Sequence, residues 1–128
     1  SNHARLSRAI GGFEEGVSAY AHFLEKHPDS ALGHWYYAVD SFELALTGVH
    51  AGEDTRAGFT EAEAEFSTCR ALESSYSESC LGYEVMCRAG TGLAMFKAGE
   101  VDEAQHAFLS MEQVFDGGLA WRIELHDQ

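Results

Sequence analysis

Hydrophobic positions along this chain recur at helical spacing, and one four-residue pattern occurs three times. In each copy a large apolar residue, a small residue, an aromatic and a last apolar residue follow one another at gaps of three, four and three. This spacing places four side chains on one stripe of an α-helix. The pattern therefore predicts three helices that each pack a small residue against a neighbouring helix. The copies are Phe13, Gly16, Tyr20 and Phe23; Phe59, Ala62, Phe66 and Cys69; and Val101, Ala104, Phe108 and Met111.

Breaking and capping residues set the expected helix ends in the first part of the chain. We expect Gly11 and Gly12 to stop a short first helix through a left-handed cap. Pro28 should end the second helix, because the residue before proline avoids helical angles. Asp29 or Ser30 can then cap the third helix at its first free N–H groups.

The remaining helix ends follow from the same chemistry. Gly48 is expected to stop the third helix, and Gly99 to separate the fifth from the sixth. Ser75 and Glu78 have the spacing of a capping box at the start of the fifth helix. The predicted helices cover roughly residues 4–10, 13–26, 30–47, 55–72, 75–98 and 100–115.

The three stripes resemble the second helix of the tetratricopeptide repeat, a unit of two antiparallel helices. The third copy is the most similar, with Gly99 at the turn between helices, Ala104 at the small packing site and Phe108 at the aromatic site. The copies start 46 and then 42 residues apart, against about 34 in the family. The extra length falls in residues 48–56 and 73–79.

The resemblance implies an all-α fold, in which antiparallel helix pairs stack as a short right-handed α-solenoid of about six helices plus a tail. A single tetratricopeptide-like domain would cover residues 1–128. Residues 1–28 would form a partial first pair, 29–73 a second and 74–116 a third. Residues 117–128 would form a capping or truncated helix.

In the family the first helix of each pair lines a concave groove, which implies a protein–protein interaction module. The partner would be a peptide or a helix, and the module would serve as an adaptor or scaffold segment. Two alternatives remain at this point: a homo-oligomeric assembly module such as a homodimer, and a helical protein that binds a small ligand or metal. The expected groove residues are Arg5, Arg8, Trp35, Tyr36, Val39, Met86, Leu93 and Lys97. Because the third predicted helix is apolar on most sides, a core position stays open for Trp35 and Tyr36 and is the favoured one for Val39.

Charge narrows the range of partners. The formal net charge is −13, from 21 acidic and 8 basic residues, and such a surface repels phosphate backbones and anionic membranes. We therefore expect neither nucleic acid nor a membrane as the partner. Arg5, Arg8 and Lys97 would form a small positive rim, which favours an acidic motif or a free C-terminal carboxylate in the bound peptide.

The sequence contains few candidate catalytic or metal-binding motifs. Glu103 and His106 have the spacing of half a carboxylate-bridged di-metal site, but the sequence has no second half. His22 and His27 lack the order of a zinc-binding helix, and His34 is expected to be a satisfied core or groove residue. No nucleophile motif occurs. We expect no enzymatic activity, no metal and no cofactor.

The three cysteines are Cys69, Cys80 and Cys87. Cys69 and Cys80 are nearly symmetric about the predicted turn, so they should lie at the same level of a helix hairpin. A disulfide would imply an oxidising compartment, whereas buried thiols are the favoured interpretation. No apolar run reaches about 18 residues, the length that spans a bilayer. We expect a soluble protein, in the cytoplasm rather than a periplasmic or secreted location.

Overall fold

A computed structural model describes the backbone of residues 2–115 and the side chains of residues 11–115. This part of the chain is helical and has no strand, which confirms the all-α prediction. A single 3-10 turn, Ser74–Tyr76, precedes the fourth helix. The helices are α1 (Asn2–Lys26), α2 (Ala31–His50), α3 (Arg56–Leu72), α4 (Ser77–Lys97), α5 (Val101–Leu109) and the short α6 (Met111–Val114). The predicted helix in 117–128 lies outside the described residues.

Each long helix packs against the next one along the chain, from α1 to α5. One further long-helix contact joins α2 to α4, and α6 also contacts α4. Within residues 2–115, by contrast, the backbone of α3 packs against neither α1 nor α5, although an ion pair joins Arg56, at the start of α3, to Glu100, the cap residue of α5. Helices α2 and α4 are therefore neighbours. The helices that carry the repeated stripe, α1, α3 and α5, do not pack on one another.

The two glycines near the N-terminus do not break the helix. The expected first and second helices form one continuous α1, and neither Gly11 nor Gly12 has the positive φ that a left-handed cap requires. A glycine inside a helix costs only about 1 kcal/mol relative to alanine, so without that cap the helix continues. Arg5 and Arg8 consequently lie on the same helix as the first stripe, and the expected separate helix over 4–10 is a wrong prediction.

Of the two predicted ends of α2, the N-terminal cap is confirmed and the C-terminal stop is wrong. The Ser30 hydroxyl accepts a hydrogen bond from the Gly33 N–H at 3.0 Å, which confirms the predicted cap. Gly48 does not stop the helix, which continues to His50. A Cβ at Gly48 would lie 2.5 Å from Thr55 Cγ2, so this glycine lets the loop pack closely. The positive φ lies at Gly52 instead.

Side-chain hydrogen bonds, one local and one between distant residues, alter two other predicted boundaries. The Ser75 capping box does not form; instead, the Glu73 carboxylate accepts a hydrogen bond from the Ser75 N–H at 3.3 Å. The predicted sixth helix is divided into α5 and α6 at Ser110, whose carbonyl accepts a hydrogen bond from Arg88 at 2.6 Å. That guanidinium belongs to α4, so local sequence could not reveal the break.

The core lies between α2, α3 and α4. All four residues of the second stripe are fully buried there: Phe59, Ala62, Phe66 and Cys69. The Phe66 ring stacks on Tyr83 of α4 and meets Trp35 of α2 edge-on. Stacked and edge-on aromatic pairs add about 0.5–1.5 kcal/mol each beyond the area they bury. This stripe is covered because α3 has a long helix on both sides.

The other two stripes are covered on one side only. Ala104 is 1% exposed, as expected for the small packing site, and the Phe108 ring lies over Gly92 of α4. Val101, by contrast, is 56% exposed, and Phe23 of the first stripe is 42% exposed. The same sequence pattern therefore gives different burial according to how many helices flank it.

Candidate functional site

The outer side of α2 carries a partly exposed apolar stripe at gaps of four and three. Leu32 and Tyr36 are both about half exposed, and Val39 is half-buried against the edge of the core. Tyr36 does not project freely, because its ring stacks on Tyr20 of α1 with a centroid distance of 5.4 Å and an interplanar angle of 14°. This contact holds one face of the Tyr36 ring and leaves the other side accessible.

The neighbouring helix α4 adds a second apolar stripe. Met86 is 48% exposed, and Leu93, seven residues further on, is half-buried against the core. Seven residues are about two helical turns, so both side chains lie on one side of α4.

Two contacts show that α2 and α4 run in the same direction. Near the start of each helix, Trp35 and Tyr83 meet with a centroid distance of 5.4 Å. Near the end of each, the Lys97 ammonium donates a hydrogen bond to the Val49 carbonyl at 3.1 Å. The two apolar stripes therefore lie on parallel neighbouring helices. We call this surface the α2–α4 face, formed by Leu32, Tyr36, Val39, Met86 and Leu93.

Trp35 lies at the inner edge of this surface, in the packed aromatic cluster. It is half-buried and contacts Phe66, Tyr76 and Tyr83 with centroid distances of 5.4–5.8 Å. Among the expected groove residues, Trp35 is thus the one that the structure ties most closely to the core. Its role there is to join α2, α3 and α4.

The expected positive rim is only partly described. Lys97 uses one N–H to satisfy the Val49 carbonyl at the end of α2, which leaves up to two donors for another group. Arg5 and Arg8 lie in the first turns of α1, and their side chains lie outside the described residues. The structure thus places one cation at the C-terminal end of the α2–α4 face.

Sequence reasoning missed Leu32 and Tyr83. Leu32 reads as an ordinary apolar helix position, although it is about half exposed on the α2–α4 face. Tyr83 lies at the centre of the aromatic cluster, against Phe66, Phe42 and Trp35. The sequence spacing could have identified Tyr83. It follows the stripe residue Phe66 by 17 residues, much as Tyr36 follows the stripe residue Tyr20 by 16.

Two buried polar groups are tied into the fold. His34 Nδ1 lies 2.5 Å from Glu65 Oε2, and His34 Nε2 lies 2.7 Å from the Pro28 carbonyl. This confirms His34 as a satisfied core residue. Glu84, almost completely buried, accepts a hydrogen bond from Arg70 Nε at 2.8 Å. Both groups link neighbouring helices.

The three cysteines are free and buried thiols, which confirms the favoured interpretation. Cys69 and Cys80 lie side by side, as their symmetric positions predicted, and Cys69 Sγ donates to the Ala31 carbonyl at 3.3 Å. Burial raises the pKa of all three thiols, to about 12 for Cys80 and Cys87. A thiol with such a pKa is a poor nucleophile near neutral pH.

Acidic and histidine side chains elsewhere do not converge on a metal site. Within residues 11–115, no group of three or more His, Cys, Asp or Glu side chains is arranged to hold a metal ion. A cleft of about 430 Å³ lies between α1, α2 and α3, away from the predicted groove residues. Two of its carboxylates are already engaged, Asp54 by Arg56 and Glu61 by Tyr37. The carboxylates lining it are those of Glu14, Glu53, Asp54 and Glu61.

Comparison of the chain with family models, curated proteins and solved structures found no match. None of the helices in the described part of the chain is both long and apolar enough to cross a bilayer.

Proposed function

We propose that this protein is a non-catalytic protein–protein interaction module that binds a peptide or a helix of its partner on the α2–α4 face. One observation carries the proposal: two parallel, neighbouring helices each present an apolar stripe that the described part of the chain covers only in part. Leu32, Tyr36 and Met86 keep close to half of their surface exposed. An exposed apolar patch that spans two helices is typical of a binding surface rather than of a solvated one.

The order of the helices supports a groove at this position. In residues 2–115, α2 packs against α4, whereas the backbone of α3 packs against neither α1 nor α5. This is the pattern expected when the first helices of successive pairs line an inner surface. This is the arrangement that the tetratricopeptide-like stripes predict. The solenoid and its concave face are thus part of the proposal.

The energetics favour a moderate affinity. Burying the remaining exposed surface of a half-exposed apolar side chain contributes on the order of 1 kcal/mol. The five residues of the face would therefore contribute a few kcal/mol, to which backbone and polar contacts of a bound peptide add. Because a Kd of 1 μM corresponds to about 8 kcal/mol, we expect a dissociation constant in the micromolar range.

The chemistry of the face also suggests its ligand. Tyr36 and Met86 favour a partner with apolar side chains, since tyrosine is enriched at interface hot spots and methionine adapts to varied shapes. The Lys97 ammonium favours an acidic side chain or a C-terminal carboxylate at one end of the bound peptide. The remaining surface is strongly acidic, so it would repel that acidic group elsewhere and favour this single orientation.

A peptide selection tests the proposal. The immobilised protein would be presented with a displayed library of random peptides, and the selected sequences would be measured by titration calorimetry. We expect apolar residues at helical or extended spacing with an acidic residue near one end. Met86→Gln should weaken binding at least tenfold, while Ala64→Gln on the exposed side of α3 should leave binding unchanged.

Two results would reject the proposal. One is a set of selected peptides whose affinity is the same for Met86→Gln, Ala64→Gln and the parent. The other is a parent protein that associates with itself on this face, shown by a mass that rises with concentration and stays low in Met86→Gln. That second result would favour the homo-oligomeric assembly module.

A further inference from the structure

The cleft between α1, α2 and α3 has the size of a small-molecule site. Its volume is about 430 Å³, which lies within the range of about 300–1,000 Å³ for ligand pockets. Four carboxylates line the cleft, and none of its described lining residues is basic. Such a lining favours a ligand that combines positive charge with an apolar body. Small and apolar residues from all three helices form much of the remaining lining, among them Val17, Leu44, Ala45, Ala57 and Gly58.

Ser41, which lines this cleft, has an unsatisfied hydroxyl. The residue is 7% exposed, and within residues 11–115 its Oγ has no hydrogen-bond partner. Buried polar groups nearly always have a partner. A hydroxyl accepts as well as donates, so an N–H group of a ligand in the cleft would complete the bonding of Ser41. Helical threonines elsewhere in the chain satisfy their hydroxyls by donating to the carbonyl four residues earlier: Thr47, Thr60, Thr68 and Thr91.

The cleft has an acidic group towards each of its two ends along α2. Tyr37, one turn before Ser41, donates a hydrogen bond to Glu61 Oε1 at 2.6 Å, so Glu61 lies near the level of Ser41. At the other end, a Cβ at Gly48 would lie 3.4 Å from Glu53 Oε2. Ser41 and Gly48 are seven residues apart, which corresponds to about 10 Å along the helix. The two acidic ends are therefore separated by the length of a short alkyl chain.

Both ends keep carboxylate oxygens for a ligand. Burial and the Glu61 carboxylate raise the pKa of Tyr37 to about 12, so the phenol stays protonated and bonds only one oxygen of Glu61. No hydrogen bond or ion pair from residues 11–115 engages the carboxylate of Glu53, whereas Asp54 beside it is held by Arg56. Because no three such groups in this part of the chain are arranged around a metal ion, the separate charges suit an extended organic cation.

We infer that this cleft binds a linear polyamine, with one ammonium between Ser41 and Glu61 and a second beside Glu53. Each ammonium would supply N–H donors, which form charge-assisted hydrogen bonds with carboxylates. The methylene chain between them would lie against Leu44 and Ala45 and remove apolar surface from water. The cleft shares no residue with the α2–α4 face, so this site is independent of the function proposed for that face.

Titration calorimetry of the full chain with spermidine tests the inference. We expect saturable one-to-one binding, which Glu53→Gln and Glu61→Gln should each weaken at least fivefold. Glu78→Gln is the matched control, because it removes one negative charge from an exposed position on α4 outside the cleft; it should leave the affinity unchanged. Putrescine, a shorter diamine, should bind at least tenfold more weakly than spermidine because it cannot reach both ends.

Ser41→Ala distinguishes a ligand site from a charged surface. It should weaken spermidine binding at least fivefold, while the free protein should melt at the same or a higher temperature, because alanine removes an unsatisfied buried hydroxyl. Circular dichroism shows whether each variant is folded, and Glu53 lies in an exposed loop, so its variant is informative even if another one unfolds.

Three results would overturn the inference. One is a parent protein that does not bind spermidine. Another is equal weakening by Glu53→Gln, Glu61→Gln and Glu78→Gln, which would show diffuse attraction to the acidic surface. The third is a folded Ser41→Ala variant that binds spermidine as tightly as the parent does.

Discussion

The rings of Phe66 and Tyr83 lie nearly parallel, with 4.6 Å between their centroids and 10° between their planes. Tyr20 and Tyr36 repeat this arrangement one striped helix earlier, at 5.4 Å and 14°. Each pair joins a striped helix to the helix that follows it. The two pairs differ in burial, because Phe66 is fully buried and Tyr36 is 44% exposed.

This difference predicts unequal costs for truncating the two pairs. Phe66→Ala should lower the free energy of unfolding by about 3–5 kcal/mol, since it leaves a cavity in the core. Tyr36→Ala should lower it by about 1 kcal/mol or less, because much of the ring is already solvated. Urea unfolding of both variants measures these losses. Equal losses would mean that Tyr36 is a core residue and would remove it from the α2–α4 face.

Two glycines of α4 should respond to alanine with opposite signs. A Cβ at Gly90 would overlap with Phe59 Cε1, and that ring is fully buried. Gly90→Ala should therefore destabilise the protein by about 1–3 kcal/mol through overpacking. A Cβ at Gly82 would have no neighbouring atom within 4 Å, so Gly82→Ala should stabilise the helix by about 0.5–1 kcal/mol. Thermal melts that shift in the same direction would contradict the packing of α3 on α4.

Two arginines should differ because their carboxylate partners differ in burial. Arg70→Ala leaves the buried Glu84 carboxylate without its guanidinium partner, and we expect a loss of about 2 kcal/mol, since Arg70 itself is partly exposed. Arg56 pairs with Asp54 and Glu100, whose side chains are about half exposed, so Arg56→Ala should give a much smaller loss. Adding Glu84→Gln to Arg70→Ala should recover part of the stability. No recovery would show that Glu84 is not held as a buried carboxylate.

Asp40 gives the stability a pH dependence. Its carboxylate faces Gly16 of α1, and burial raises the pKa of Asp40. A raised pKa in the folded state disfavours the charged form, so the contribution of Asp40 to stability is present at low pH and is lost as pH rises through its folded-state pKa. Asp40→Asn should therefore raise the free energy of unfolding at pH 7, with a smaller gain near pH 4. A gain that does not change with pH would contradict this account.

The cysteines should be unreactive in the native protein. Because the pKa of Cys80 and of Cys87 is raised to about 12, iodoacetamide near pH 8 should modify the folded protein about a hundredfold more slowly than free cysteine. In guanidinium chloride without reductant, mass spectrometry should show three additions. A single addition there would reveal a disulfide, for which Cys69 and Cys80 are the neighbouring pair.

Local sequence predicted the parts of the fold that depend on local chemistry. The Ser30 cap, the helix end before Pro28 and the buried Ala104 follow from side chains and spacing within a few residues. The unbroken α1 and the extension of α2 past Gly48 could not be predicted in this way. A glycine stops a helix only if the surrounding contacts favour positive φ, and the contact at Gly48 comes from Thr55 in the next loop.

The candidate site, like the fold, could be predicted only in part from the sequence. The resemblance to the tetratricopeptide repeat placed Tyr36, Val39, Met86 and Leu93 among the expected groove residues, but the sequence could not show which neighbours cover each side of α2. Because Trp35 packs on Tyr83 of α4 whereas Leu32 keeps about half of its surface exposed, nearby apolar positions on α2 have different roles. Only the arrangement of the helices distinguishes the core side of such a helix from its exposed side.

The three methionines provide the most direct test of the α2–α4 face as a binding surface. Met86 lies on the face, whereas Met95 and Met111 lie elsewhere on α4 and α6 and are half-buried. In a protein labelled with ¹³C at the methionine methyl groups, a peptide selected on the parent would be titrated and the three methyl signals followed by NMR. We predict that the Met86 signal shifts, with a dissociation constant equal to the calorimetric one, while the Met95 and Met111 signals stay in place. A bound peptide that moves the Met111 signal and leaves the Met86 signal unchanged would contradict the proposal.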